Sequence, residues 1–134
     1  MEKILIEKLI RKAVEMLNFS YAPYSNFHVG AALLTSEGEI FTGCNIENAA
    51  YGPTNCAERT AVFKAVSEGK KNFVAIAIAG GKNGKIEGFC PPCGVCRQVL
   101  AEFCKKDFEI ILAKSTDEYK IMTLEQLLPE SFSL

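Results

Sequence analysis

The sequence lacks a long run of apolar residues. Its 134 residues contain no stretch of about 18 or more uninterrupted apolar side chains, which is the length that a membrane-spanning helix needs. Residues 1–17 mix charged with apolar side chains, which is typical of an amphipathic helix and not of a secretion signal. We therefore expect a cytoplasmic protein that has no contact with a membrane.

An excess of positive charge is also absent. The 15 basic and 16 acidic side chains leave a formal net charge of −1, whereas nucleic-acid-binding proteins usually carry a strongly basic surface. The composition therefore argues against a nucleic-acid partner. Histidine is scarce as well, since His28 is the only one. It follows Phe27 in a predicted strand and points to the opposite face, so we expect a packed or surface residue and not a metal ligand.

Cysteine, in contrast, is well represented, with six residues. The chain shows no secretion signal, and with 49% hydrophobic residues it can build its own core. Metal binding is therefore a better interpretation of these cysteines than a framework of disulfides. The length predicts one domain over residues 1–134.

The hydrophobic periodicity predicts an α/β fold. It predicts four helices, over residues 3–18, 55–68, 94–104 and 124–128, the second of which is capped by Thr54 or Asn55 and ends at Glu68. It also predicts five strands, over residues 27–34, 39–43, 73–79, 109–113 and 119–122. The wholly apolar run 73–79 is typical of a strand that is covered on both faces. This order predicts three α/β/α layers around a mixed five-stranded sheet. The Asn-, Gly- and Pro-rich segment 43–54 is predicted to be a functional loop.

Two short segments, Cys56-Ala57-Glu58 and Pro92-Cys93-Gly94-Val95-Cys96, carry the residues that indicate chemistry. Cys93 and Cys96 are three residues apart at a predicted helix start, so their sulfurs share one face. Helix N-termini favour the thiolate form of cysteine. Three thiolates leave one position of a tetrahedral zinc ion open, as catalytic sites require. Glu58 is placed to move protons to and from a water there, so the pattern predicts a hydrolytic zinc enzyme.

Other interpretations of these residues stay open. Cys93 and Cys96 alone could form a redox pair, and Cys90 could join the three cysteines in a closed four-sulfur structural site. Asn55 and Glu58 match a capping box, so Glu58 could serve only to cap the helix.

The charge of the predicted metal site requires compensation. Three thiolates around one Zn²⁺ leave one net negative charge, which would make the ion a weak Lewis acid. Two helix N-termini would offset part of this charge. Arg59 and Arg97, each directly after a residue of the two segments, could offset more.

Several segments also match a known family. The chain resembles the small homotetrameric cytidine deaminases over nearly its full length, in the segments Tyr21–Phe27, Gly43–Tyr51, Cys56–Ala61, Pro92–Gln98 and Leu127–Phe132. The C-x-E and P-C-x-x-C pair marks the wider zinc deaminase superfamily. The resemblance implies a cytidine-deaminase-like fold and hydrolytic deamination of cytidine and 2′-deoxycytidine to uridine and 2′-deoxyuridine plus ammonia, in pyrimidine salvage.

The resemblance also implies the roles of the residues around the metal. One zinc ion per chain is bound by Cys56, Cys93 and Cys96 and activates a water molecule. Glu58 shuttles protons from this water to N3 and to the departing amino group of the cytosine. Arg59 hydrogen-bonds the ligand sulfurs.

For substrate binding, the resemblance implies that Asn45 and Glu47 hold the ribose 3′-hydroxyl, that Phe27 forms a wall against the pyrimidine, and that the backbone of Ala57 contacts the base. Three residues are implied to reach the site of a neighbouring subunit: Ala49, Tyr51 and Phe132. From the residues alone, Asn45 and Glu47 could equally be ordinary polar loop residues, and Phe27 could belong to the core.

Two rival functions remain at this point. A related deaminase could act on a nucleotide, an antibiotic nucleoside or a base in RNA. However, residues 45–51 offer no basic side chain for a phosphate and include the acidic Glu47. The non-enzyme rival is a binding module that zinc only stabilises.

Overall fold

The computed structural model describes residues 1–134 as a five-stranded mixed sheet with helices on both faces. In chain order the elements are α1 (Lys3–Glu15), β1 (Phe27–Thr35), β2 (Ile40–Cys44), α2 (Ala57–Ser67), β3 (Phe73–Lys82), α3 (Gly94–Phe103), β4 (Glu109–Ala113), β5 (Tyr119–Thr123) and α4 (Leu124–Leu127). The predicted α/β class and the mixed five-stranded sheet between two helical layers are confirmed. None of the helices combines the length and the apolar character that a membrane crossing requires.

The strand order β2-β1-β3-β4-β5 brings three strand ends together. Strand β1 is antiparallel to both β2 and β3, and β3 pairs with β4 in parallel, so β2, β3 and β4 run in the same direction. Phe27, the first residue of β1, pairs with Lys82 at the end of β3. We call this end, where β2, β3 and β4 finish and β1 begins, the site end of the sheet. Helices α2 and α3 follow β2 and β3, so both begin there.

The alternation of side chains along β1 divides the core into two halves. Ala31 and Leu33 pack in the half that is covered by α2 and α3, whereas Ala32 and Leu34 pack in the half that is covered by α1. The central strand β3 is buried on both faces over residues 75–81. Its wholly apolar sequence predicts this burial correctly.

Some element boundaries differ from the predicted ones. The first helix ends at Glu15 and tightens into a 3₁₀ turn over Met16–Phe19. Strand β3 continues to Lys82, because its pairing with β1 continues to the start of that strand. The predicted cap of α2 at Thr54 or Asn55 is wrong: Cys56 is the N-cap residue. Asn55 is held instead by two backbone hydrogen bonds to Ile46.

A backbone contact between β2 and α2 fixes where α2 begins. A Cβ atom on Gly43 would lie 2.5 Å from the carbonyl oxygen of Ala57 and 2.6 Å from the backbone nitrogen of Ala61. Only glycine permits so close an approach. The contact therefore sets the position of the helix that starts after Cys56.

We expect Gly43→Ala to lower the free energy of unfolding, because either β2 or α2 must move to make room for the methyl group. Overpacking of this kind costs roughly 1–3 kcal/mol. Gly88→Ala is the matched control, since a Cβ atom there meets no atom within 4 Å and the φ angle is not positive. Chemical denaturation followed by circular dichroism measures both variants. Equal stability of the two would show that α2 does not depend on this contact.

Candidate metal and substrate site

Three cysteine thiols meet at the site end of the sheet. Cys56 is the N-cap residue of α2, Cys93 is the N-cap residue of α3, and Cys96 lies in the first turn of α3. The three Sγ atoms lie within 4.8 Å of one another, and those of Cys56 and Cys93 are 3.7 Å apart. Zn–S bonds of about 2.3 Å at tetrahedral angles place sulfur atoms about 3.8 Å apart. The cluster therefore fits three corners of a tetrahedral zinc site.

Cys90 does not belong to this cluster. Its Sγ atom packs against β3, where a Cβ atom on Gly80 would come within 3.1 Å of it. Burial raises the pKa of the Cys90 thiol to about 12, which keeps the proton on the sulfur. All six cysteines are free. The structure thus contains neither the closed four-sulfur site nor an isolated redox pair, because Cys93 and Cys96 group with Cys56.

Hydrogen bonds within the cluster favour negative charge on Cys56. The hydrogen bond from Cys96 lowers the pKa of Cys56 to about 5; burial opposes this shift, and the nearby Arg59 guanidinium reinforces it. The same hydrogen bond and burial raise the pKa of Cys96. The backbone N–H of Cys96 also donates to Cys93 Sγ, at 3.5 Å. The free amides of a helix N-terminus thus contribute to holding the thiolates.

The two arginines near the cluster have different partners. Arg59 Nη2 donates to Cys56 Sγ at 3.3 Å. Burial alone would lower the pKa of Arg59, but its hydrogen bonds to Cys56 and Cys96 outweigh burial and raise it. Arg97 instead donates to two backbone carbonyl oxygens, those of Pro92 and Leu127. Only Arg59 therefore bonds the sulfurs directly.

Glu58 is a buried carboxyl group beside the thiols. Its side chain lies in the first turn of α2, and the residue is 4% exposed. Burial raises the pKa of Glu58 to about 7, although a hydrogen bond to its own backbone N–H acts in the opposite direction. The capping box with Asn55 does not form, because α2 begins without a side-chain cap. A carboxyl group that titrates near neutral pH can both accept and release a proton.

A cavity of about 300 Å³ joins these groups to the loops at the site end. This volume is at the lower limit for a small-molecule pocket. Seven residues that the sequence predicts for the site line the cavity: Phe27, Asn45, Glu47, Cys56, Ala57, Glu58 and Cys93. Six other residues complete the lining: Ser25, Val29, Thr54, Asn55, Cys90 and Pro91. These six residues lie within three positions of a predicted site residue in the chain, and nothing else in the sequence marks Val29 as part of the lining.

Asn45 connects its loop to the start of β1. Its Oδ1 accepts hydrogen bonds from the Val29 N–H, at 2.9 Å, and from the Ser20 hydroxyl, while its Nδ2 donates to the Phe27 carbonyl oxygen at 2.8 Å. A side-chain amide has two N–H donors. One donor of Asn45 is therefore left for a ligand in the cavity.

Glu47 holds the preceding loop in the same way. Its Oε1 accepts from the backbone N–H groups of Tyr24 and Ser25, at 3.0 and 3.1 Å, and its Oε2 accepts from the Ser25 hydroxyl. The hydrogen bond from the Ser25 side chain holds the pKa of Glu47 below its usual range. The carboxylate is thus fixed in its charged form, in which it accepts hydrogen bonds.

Besides Cys96 and Arg59, three predicted site residues do not line this cavity: Ala49, Tyr51 and Phe132. Tyr51 is 76% exposed and Phe132 is 69% exposed. Within a single chain, none of these three side chains lines the cavity that holds the thiols, although Tyr51 lines the adjoining depression beside Glu47. Their place in the site of a neighbouring subunit stays a prediction. His28 has no part in the metal cluster, in agreement with the sequence.

The chain is similar in sequence to known proteins over most of its length. The family model of the cytidine and deoxycytidylate deaminase zinc-binding region matches residues 3–112, which include both cysteine segments. The cytidine deaminase of Halalkalibacterium halodurans is 46% identical over 127 residues, which are 95% of this chain and 93% of that protein. The cytidine deaminase of Sporosarcina psychrophila is 48% identical over 128 residues, which are 96% of this chain and 91% of that protein.

The fold is also similar to that of a solved structure. The crystal structure of cytidine deaminase from Burkholderia pseudomallei superposes with a TM-score of 0.84 at 45% identity, and the match covers 93% of this chain and 97% of that chain. The cluster of Cys56, Cys93 and Cys96 is consistent with one zinc ion per chain, and the chain therefore belongs to the family of zinc-dependent cytidine and deoxycytidylate deaminases.

Proposed function

We propose that this chain deaminates cytidine and 2′-deoxycytidine hydrolytically, giving uridine and 2′-deoxyuridine plus ammonia, in pyrimidine salvage. The observation that carries the proposal is a buried carboxyl group, Glu58, in the same nucleoside-sized cavity as two of the three zinc-binding thiols. Relatives that share 46% and 48% of their residues with the chain are cytidine deaminases, which supports the substrate class.

Glu58 carries the proton transfers in the proposed reaction. Zinc, when bound by the three cysteines, supplies the Lewis acidity that makes water nucleophilic near neutral pH. Glu58 accepts a proton from the water that attacks C4 of the cytosine ring. It donates this proton to N3, then accepts the remaining proton from the hydroxyl group now on C4 and donates it to the amino group. The C4–N bond breaks as the C4 carbonyl forms, so that one water is consumed and one ammonia is released. Glu58 is buried and lines the same cavity as Cys56 and Cys93, which supports this role.

The other lining residues bind the nucleoside in this proposal. The Phe27 ring, which is 39% exposed, packs against the pyrimidine. The free amide donor of Asn45 and the charged Glu47 hold the ribose 3′-hydroxyl, because one donates and the other accepts a hydrogen bond. The backbone N–H of Ala57 lies in the first turn of α2, where amides lack helical partners, and contacts the base.

The charge of the cavity favours a nucleoside over a phosphorylated substrate. None of the thirteen lining residues is basic, whereas Glu47 and Glu58 are acidic. The adjoining depression next to Tyr24 and Tyr51 contains no basic residue either. A phosphate group near the sugar subsite would thus meet the Glu47 carboxylate without a compensating cation.

The assembly is part of the same proposal. We infer a single catalytic domain that acts in the cytoplasm as a homotetramer, with Ala49, Tyr51 and Phe132 of one subunit completing the site of a neighbour. The high exposure of Tyr51 and Phe132 in the single chain supports this arrangement. Large exposed aromatic side chains are typical of surfaces that are covered in an assembly.

The substrate proposal is tested by comparing four substrates. We expect cytidine and 2′-deoxycytidine to lose their ultraviolet absorbance on conversion to the uracil nucleosides. Turnover of CMP and of a cytosine-bearing oligonucleotide should be at least about tenfold slower, a difference of about 1.4 kcal/mol in the barrier. Faster turnover of CMP or of the oligonucleotide than of the nucleosides would contradict the proposal.

The role of Glu58 is tested by Glu58→Gln, which keeps the size of the side chain but cannot shuttle protons. We expect an unchanged fold, about one zinc per chain, and a rate loss of at least ~10²–10⁴. Glu68→Gln, at the exposed C-terminal end of α2, is the matched control and should leave turnover unchanged. Cys56→Ala should lose zinc and activity together. Near-normal turnover by Glu58→Gln would rule out the proton-shuttle mechanism.

The role of Arg59 is tested by Arg59→Ala. Its hydrogen bond to Cys56 withdraws electron density from the sulfur, so its loss should weaken zinc retention or move the pH optimum to more alkaline values, with lower activity. Zinc content after dialysis and the pH profile of turnover are the measurements. Arg11→Ala, on the exposed face of α1, is the control. Activity and zinc content equal to those of the control would remove Arg59 from the site.

A further inference from the structure

Arg97 joins two segments that are far apart in the chain. Its Nε donates to the carbonyl oxygen of Pro92 at 2.8 Å, and its Nη1 donates to the carbonyl oxygen of Leu127 at 2.6 Å. The first segment leads directly into the zinc ligand Cys93, and the second is the last turn of α4. One half-buried guanidinium group therefore bonds both the metal-ligand loop and the start of the C-terminal tail.

The contact with Pro92 fixes the peptide group that precedes a zinc ligand. The Pro92 side chain is fully buried, and a buried carbonyl group needs a hydrogen-bond partner. The Cys93 carbonyl oxygen is already paired with the backbone N–H of Arg97, at 3.0 Å, in the first turn of α3. The side chain of Arg97 thus holds the carbonyl group on one side of Cys93 and its backbone holds the carbonyl on the other. Together they fix the direction in which Cys93 presents its sulfur.

The contact with Leu127 holds the C-terminal end of α4. The last carbonyl groups of a helix lack helical partners and carry partial negative charge, which a guanidinium group compensates. The other end of α4 is closed by a capping box between Thr123 and Gln126. After α4 the chain continues to Phe132 and ends two residues later. Arg97 therefore fixes the point from which this tail departs.

We propose that Arg97 is a positioning residue that holds the Cys93 ligand segment and the C-terminal tail in one fixed arrangement. Its planar guanidinium group serves both carbonyl oxygens with two different nitrogens, which a single lysine ammonium group on a flexible stem cannot reproduce. The importance of the tail in this proposal rests on the proposed function, in which Phe132 completes a neighbouring site. The positioning of the Cys93 segment rests only on the hydrogen bonds that Arg97 makes to the carbonyl oxygens of Pro92 and Cys93.

The test compares full-length, zinc-loaded Arg97→Met and Arg97→Lys with the wild type and with Arg11→Met, the control on the exposed face of α1. The first readout is the rate of zinc release to an excess of a chromogenic chelator, well below the unfolding temperature. The second is hydrogen–deuterium exchange of residues 124–134. Both are measured without substrate, so failure of cytidine turnover would refute the proposed function and leave these results unaffected.

We expect Arg97→Met to release zinc roughly 10–100-fold faster than the wild type, as is typical when a partner beyond the metal ligands is lost. Exchange of residues 124–134 should also become faster, while Arg11→Met should match the wild type in both readouts. Arg97→Lys should fail to restore both readouts to wild-type values. If Arg97→Met does not fold, Arg97→Lys carries the test. Zinc release at the wild-type rate, or unchanged exchange of the tail, would overturn the proposal.

Discussion

The start of two helices at the same end of the sheet is the constraint on which the site depends. Strands β2 and β3 run in the same direction, so α2 and α3 both begin at the site end, and a cysteine is the N-cap residue of each helix. The 3.7 Å between Cys56 and Cys93 Sγ results from this arrangement. The amides of both N-termini also make three adjacent thiolates less unfavourable, because they place partial positive charge beside the sulfurs.

The same helix start brings different chemical functions into one turn. Cys56 offers a thiol to the metal cluster, Glu58 offers a buried carboxyl group, and Arg59 donates a hydrogen bond to the Cys56 sulfur. These roles require side chains that project in different but fixed directions around the metal cluster. The four consecutive residues 56–59 at the start of α2 provide them. The close contact at Gly43 keeps this turn against the sheet, so a local backbone constraint in β2 acts on the geometry of the metal site.

Local patterns in the sequence predict most of this architecture. The five strands, the four helices and the grouping of Cys56, Cys93 and Cys96 follow from periodicity and spacing, and the structure confirms them. The failures involve partners that are distant in the chain. Asn55 does not cap α2 because it pairs with Ile46, and Arg97 bonds Leu127, which lies thirty residues further along the chain. Hydrophobic periodicity cannot predict such contacts, because they form only when the helices and strands pack against one another.

The hydrogen bonds of Asn45 and Glu47 could not be predicted from the spacing of residues in the sequence. Both side chains hold neighbouring backbone groups, so the proposed sugar subsite is already ordered by the chain itself. Groups that are fixed in advance lose less conformational freedom when a ligand binds. The polar loop is thereby both a structural connection and a preformed wall of the cavity.

X-ray absorption spectroscopy at the zinc edge tests most directly the claim that three cysteines leave one coordination position open. For the zinc-loaded protein we expect three sulfur ligands at about 2.3 Å and one oxygen or nitrogen ligand at about 2.0–2.2 Å. A shell of four sulfur atoms would contradict the claim, because it would mean that Cys90 moves to close the site and leaves no place for a reacting water.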